Sequence, residues 1–157
     1  MKTLKLLCTA IVIAGFATVA WGGYVSGVRV NGVDVGQTSS GDGWNFDDSH
    51  RINLKGSGKT YVITGADTGK RNIRVKIETD CTVVISNLTL GVREDYCNAL
   101  WLDASKSSLT GTVLFYGVNY LSSRWGAAGI GVKKGQTLNL LGMQATAELH
   151  ATGGKSG

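Results

Sequence analysis

Proline is absent from this sequence, and charged residues make up only 17% of its 157 positions. Without proline, every backbone N–H stays free to join a hydrogen-bond ladder. Scarce charge beside 43% apolar residues excludes a disordered chain, which needs the opposite balance. Histidine is nearly missing too. His50 and His150 stand far apart with no third ligand at metal spacing, so no zinc site is expected. No Gly-x-Ser-x-Gly turn is present, which removes the usual nucleophile elbow. The net charge of +5 includes Lys2 and Lys5 at the extreme N-terminus, and no dense Lys/Arg stripe with interleaved aromatics follows. Nucleic acid is therefore not an expected partner.

What the chain has in excess is glycine, at 23 residues. Glycine supplies positive φ at tight corners, so this composition suits many short strands joined by sharp turns. The length allows one domain with a real core.

The N-terminus reads as an export signal. Lys2 and Lys5 form a basic n-region, residues 6–20 an apolar h-region, and Ala20-Trp21-Gly22 places small residues at −3 and −1 of a cut before Gly23. A cut after Ala20 is an alternative, as is an uncleaved anchor. Gly22, Gly23 and Ser26 weaken the anchor as a continuous span. The expected layout is a signal peptide at 1–22, an N-terminal hairpin and polar loop at 23–43, and the main fold at 44–157, incomplete at its C-terminus. No stable membrane span remains after cleavage. The mature chain keeps Cys81 and Cys97. In an oxidising compartment they could form one disulfide, or they could be two small buried hydrophobes.

Val28-Arg29-Val30-Asn31-Gly32-Val33-Asp34-Val35 alternates apolar residues on both sides of Asn-Gly, the pair suited to a type I′ hairpin turn. From Trp44 onward a repeat is expected. An apolar-x-apolar-x-Gly/Asn unit starts at Tyr61, Val83, Val113 and Leu138, spaced by 22, 30 and 25 residues. A second unit interleaves as Ile52/Leu54, Ile73/Val75, Leu100/Leu102 and Ile130/Val132. Alternation by two means strands with one buried face. Gly or Asn at the end of the first unit means a corner. A third strand is suggested by Leu88-Thr89-Leu90. Short strands repeated at 20–30-residue intervals predict an all-β fold, a parallel β-helix of about four coils, each covered by its neighbours. A helix over residues 95–109 is the competing reading, disfavoured by Ser105, Ser107, Ser108 and the lack of a clean apolar stripe.

With Gly41-Asp42-Gly43, Ala128-Gly129-Ile130-Gly131-Val132 and His150-Ala151-Thr152-Gly153-Gly154 added to these units, the chain resembles the β-helical repeat regions of secreted bacterial surface proteins of the carbohydrate-binding-domain-containing type. The resemblance implies a right-handed parallel β-helix on the cell surface or outside the cell, with no shared catalytic residues. It also implies acidic polysaccharide as a ligand class, in some relatives with calcium. Relatives run on into further Gly-rich coils, where this sequence stops at Gly157.

The longer spacings hold insertions at residues 93–98 and 122–126, which solenoids tend to gather on one binding face. Flat aromatic faces suit the C–H face of a sugar ring. Tyr96 and Trp125, in the two insertions, are therefore the first carbohydrate-binding candidates. Trp101 and Tyr116, out of phase with the core residues around them, are the second. The bland alternative is outward aromatics stacked along the coil as ladder pairs. Asp42, Asp47, Asp48, Glu94 and Asp95 match no recognised calcium loop; no metal or cofactor is expected, with calcium the sole candidate. Asn87-Leu88-Thr89 formally matches a glycosylation acceptor and reads as a coil corner.

The favoured function is a secreted or cell-surface binding module for polysaccharide or adhesion. A structural spacer of a larger surface protein is the alternative. A lyase or hydrolase is least favoured, since only Arg71 and Arg74 near Asp67 offer a start. The tail from Ala151 to Gly157 shows no polar cap and only Lys155 as an edge guard. The chain is therefore expected to be a truncated piece of a longer β-helix, or its last coil to be covered by a partner, end-to-end self-association included.

Overall fold

A computed structural model describes residues 25–67 and 71–154. The proposed leader, with Cys8, and Lys155 of the tail lie outside the described residues. The fold is all-β, with no helix among the described residues. The segment weighed as a helix contains a strand and turns instead.

The chain opens with two antiparallel hairpins. In the first, β1 (Val28–Val30) pairs with β2 (Val33–Asp34), and Asn31 and Gly32 take φ of 51° and 83°, as a type I′ turn requires. In the second, β3 (Ser40–Gly41) pairs with β4 (Trp44–Phe46). The four coils follow. The first holds β5 (Arg51–Leu54) and β6 (Thr60–Ala66), and the second holds β7 (Arg74–Ile77) and β8 (Cys81–Gly91). The third holds β9 (Leu100–Leu102), β10 (Thr110–Tyr116) and β11 (Val118–Ser122). The fourth holds β12 (Ile130–Gly131), β13 (Thr137–Gly142) and β14 (Glu148–Thr152).

Successive coils pair strictly in parallel, so the molecule is a β-solenoid of about four turns. β8 runs round a corner, pairing with β6 and β10 before the bend and with β11 and the last residue of β6 after it. The bend falls at Asn87, with φ of 48°. Gly65 and Gly117 close the equivalent units in the coils on either side, also at positive φ. Asn87-Leu88-Thr89 is thus a coil corner, and the Asn87 carboxamide oxygen accepts the N–H of Val118 at 3.3 Å.

The hairpins close the N-terminal end. β1 lies antiparallel on β6, and β4 lies antiparallel on β5. Trp44 therefore belongs to this closing layer, and parallel stacking begins only at β5. Val28, Val30, Val35 and Trp44 fill the interior from above the first coil. The Asp34 carboxylate accepts the N–H groups of Ser26, Gly27 and Gly36 at 2.9, 3.1 and 2.9 Å. Burial alone raises its pKa, but those bonds outweigh burial and leave it below the ordinary carboxylate value. The Tyr61 hydroxyl, inside the first coil, donates to the Gly43 carbonyl and accepts the Gly56 N–H, both at 2.8 Å.

The core is a set of inward columns. Tyr61, Val83 and Val113 stack in one, and Ile52, Val75 and Leu100 in another. Two rungs sit two residues away from their expected partners. Val75/Ile77, rather than Ile73/Val75, stack on Ile52/Leu54. Leu140, rather than Leu138, stacks on Val113. Alternation survives a slip of two residues, so hydrophobic pattern alone does not choose between these registers. Volume complementarity accompanies the observed choice in the last coil. Leu138 reaches over Gly111, and the Phe115 ring packs beside Gly142.

One polar side chain is fully buried among these columns. Asn119 accepts the Leu88 N–H of the second coil at 3.0 Å. Its amide group donates to the carbonyls of Tyr116 at 3.0 Å and of Glu148, in the fourth coil, at 3.3 Å.

Candidate functional site

Each coil enters its strand of the six-stranded sheet through a corner residue at positive φ: His50, Asn72, Tyr96 and Gly126 in turn. The last two corners belong to the inserted loops, and those loops stack directly on one another. The Tyr96 N–H donates to the Trp125 carbonyl at 2.7 Å, and the Ala128 N–H donates to the Asn98 side chain at 2.9 Å. The Tyr96 ring lies over Gly126, where any side chain would run into it. Tyr96 is 80% exposed and Trp125 54% exposed. The two leading aromatic candidates are therefore brought together on adjacent turns.

Tyr96 has a φ of 61°. A bulky side chain in the left-handed region is uncommon and costs roughly 1–2 kcal/mol. The next coil solves the same corner with glycine.

Trp101 sits on β9 with its flanking residues Leu100 and Leu102 buried and its own side chain half-buried, facing outward as expected. Its ladder neighbours are Lys76 below and Gly131 above. The missing side chain at Gly131 leaves room for a shallow depression of about 310 Å³, lined by Asn98, Trp101, Leu102, Ala104, Gly131, Val132 and Lys133. Asn98 thus connects the stacked loops to the Trp101 depression. Beside it, Lys76 forms ion pairs with Glu78 and Asp103, both at 3.2 Å. Burial pulls the Lys76 pKa down, but the two carboxylates prevail and raise it, keeping the ammonium charged.

Tyr116 does not join this group. It ends β10 in the other sheet, half-buried, with its carbonyl bonded to Asn119. Ladder stacking of aromatics does occur, at a different place: Tyr120 and His150 lie 4.8 Å apart and nearly parallel at 13°. Neither Trp101 nor Tyr116 has an aromatic ladder partner. Cys81 and Cys97 are both free thiols. Cys81 is buried in β8, and burial pushes its pKa up to about 11.

Four of the five acidic candidates are engaged individually. Asp42 pairs with Lys59, Asp47 with Arg51 and Asn53, and Glu94 with Arg74 and Asn72. Asp95 faces Arg124 at 3.9 Å. No group of three or more metal-ligating side chains is found among the described residues. Asp67 accepts the backbone N–H groups of Arg71 and Ile73, and the Arg74 guanidinium is buried against Ser49 and Glu94. These groups shape a corner. A second depression of about 360 Å³ lies by the hairpins, between Gln37, Phe46, Asp48 and His50.

Sequence reasoning missed Asn98, Gly131 and Lys133. Gly131 acquires meaning only once the register sets it beside Trp101, and Asn98 only once the loops are seen to stack. No protein-family model matches this chain, and no curated protein or solved structure matches it either. What the chain shows is the architecture itself, a β-solenoid of about four turns, and no family is identified for it.

Proposed function

We propose that this protein is an exported carbohydrate-binding module, secreted or held at the cell surface, with its site on the Tyr96–Trp125 loops and the adjoining Trp101 depression. The observation that carries this reading is Tyr96, held 80% exposed at a φ of 61° where the next coil uses glycine. Trp125 and Tyr96 offer two wet aromatic faces on a fixed frame. Asn98 and Lys133, at the rim of the depression, supply an amide and a cation for hydroxyls and carboxylates, which favours acidic polysaccharide. The role is binding rather than catalysis, since Asp67 and Arg74, the groups a lyase would start from, are engaged in shaping a corner.

A glycan array on the exported chain, followed by calorimetry on the best ligand, tests this. Trp125→Ala and Tyr96→Gly should each weaken binding about ten-fold or more, on the scale of aromatic anchors. Tyr96→Gly should stay folded, because it relieves the corner backbone. Retained affinity in both variants would remove the site from these loops. A blank array would favour a structural spacer.

A further inference from the structure

The fourth coil leaves a face that nothing in the chain's described residues covers. Leu140 continues a buried inward column yet is 47% exposed, as is Val132 just past the end of β12. Ile130, Leu138 and Leu149 are only partly buried beside them. β12, β13 and β14 each lack a neighbour on that side. β13 is the most open of the three. Its six residues include no charge and no proline, and Leu140 and Leu141 are both exposed. Such an edge carries none of the usual guards against pairing.

We propose that this face is closed by the same face of a second copy, about a two-fold axis passing through the middle of β13. Three observations choose this occupant. First, this solenoid accepts antiparallel strands on the edges of both sheets, since β1 adds to β6 and β4 to β5 in that sense. A two-fold-related copy presents its strands antiparallel. Second, the charges complement each other. The two-fold pairs β13 with its own copy and sets β12 of one molecule against β14 of the other. In an antiparallel arrangement the end of one strand meets the start of its partner. β12 runs out into Lys133 and Lys134, and β14 begins at Glu148. Lysines therefore meet a glutamate at two symmetric places, as an isologous interface requires. Third, the opposite end of the solenoid offers no matching apolar face. Its interior is closed over Val28, Val30 and Trp44, and its edge strands β2 and β3 are two residues each.

Sedimentation of the exported chain over a range of concentrations tests the pairing. A dimer that grows no further is expected. Lys133→Glu with Lys134→Glu sets like charges against Glu148 and should weaken the dimer about ten-fold or more. Adding Glu148→Lys to that pair should restore it. These residues are exposed, so circular dichroism should be unchanged throughout. Leu140→Asp should give a monomer. A wild-type monomer at high concentration would overturn the proposal, as would growth beyond the dimer or failure of the triple variant to recover.

Discussion

The two ends of this solenoid carry the same alternating apolar pattern and meet opposite fates. At the N-terminal end, Val28 and Val30 are fully buried, and two hairpins with the Asp34 carboxylate seal the first coil. At the C-terminal end, Leu140 belongs to the same inward column as Tyr61, Val83 and Val113, yet remains half exposed. Pointing inward is a local property of a strand. Being buried is a property of the next coil along, because a single coil has no second layer of its own.

The largest expected effect compares one column at two heights. Val83→Asp puts a charge into a fully covered rung and should cost several kcal/mol, about 3 or more. Leu140→Asp, measured at concentrations low enough to keep the chain monomeric, should cost under about 1 kcal/mol. Equal costs in denaturant melts would mean that the two ends do not differ in the way described.

Acid should open the sealed end. The Asp34 and Asp47 carboxyls both have depressed pKa values, because the N–H donors around them outweigh burial. A depressed folded-state pKa contributes stability that is present above the unfolded value, about 3.9, and lost as pH falls through the folded one. Below about pH 4, amides of β1 and β2 should therefore lose hydrogen-exchange protection before those of β8 and β10. Simultaneous loss would show that Asp34 does not govern the cap.

The smallest effect separates the cap from the coil beneath it. Tyr61→Phe removes the hydroxyl that joins Gly43 to Gly56 and leaves the Gly56 N–H only its longer bond to the Gly43 carbonyl, at 3.1 Å. A cost of about 1–2 kcal/mol is expected. Thermal melts showing no change would mean that water replaces the hydroxyl there.

Strands, corners and stacking order were legible because period-two alternation and Gly/Asn corners are local signals. Gly65, Asn87 and Gly117 occupy positive φ where the repeat pattern placed them. Register is legible only modulo two, which is why the pattern points to Ile73 and Leu138 for rungs that Val75 and Leu140 occupy. The hairpin at Asn31-Gly32 could be read, but the antiparallel role of Trp44 could not, since either strand direction buries the same side chain. At the candidate site, the insertions announced Tyr96 and Trp125 through their lengths. The depression at Trp101 depends on which residue lies one coil above, which spacing does not reveal.

Asn119 gives the interior something that its hydrophobic columns lack, a polarity. A leucine column looks the same after a slip of two residues. A carboxamide has one accepting and one donating end, and here they point at Leu88 in the coil below and Glu148 in the coil above. Sliding the third coil by two residues would keep every face apolar, yet it would strand the accepting end of that amide in a dry interior and break its bond to Glu148, leaving only the donation to Tyr116 within its own coil. Among repeats similar enough to mistake one another, this side chain acts as an address that tells the third coil where it belongs.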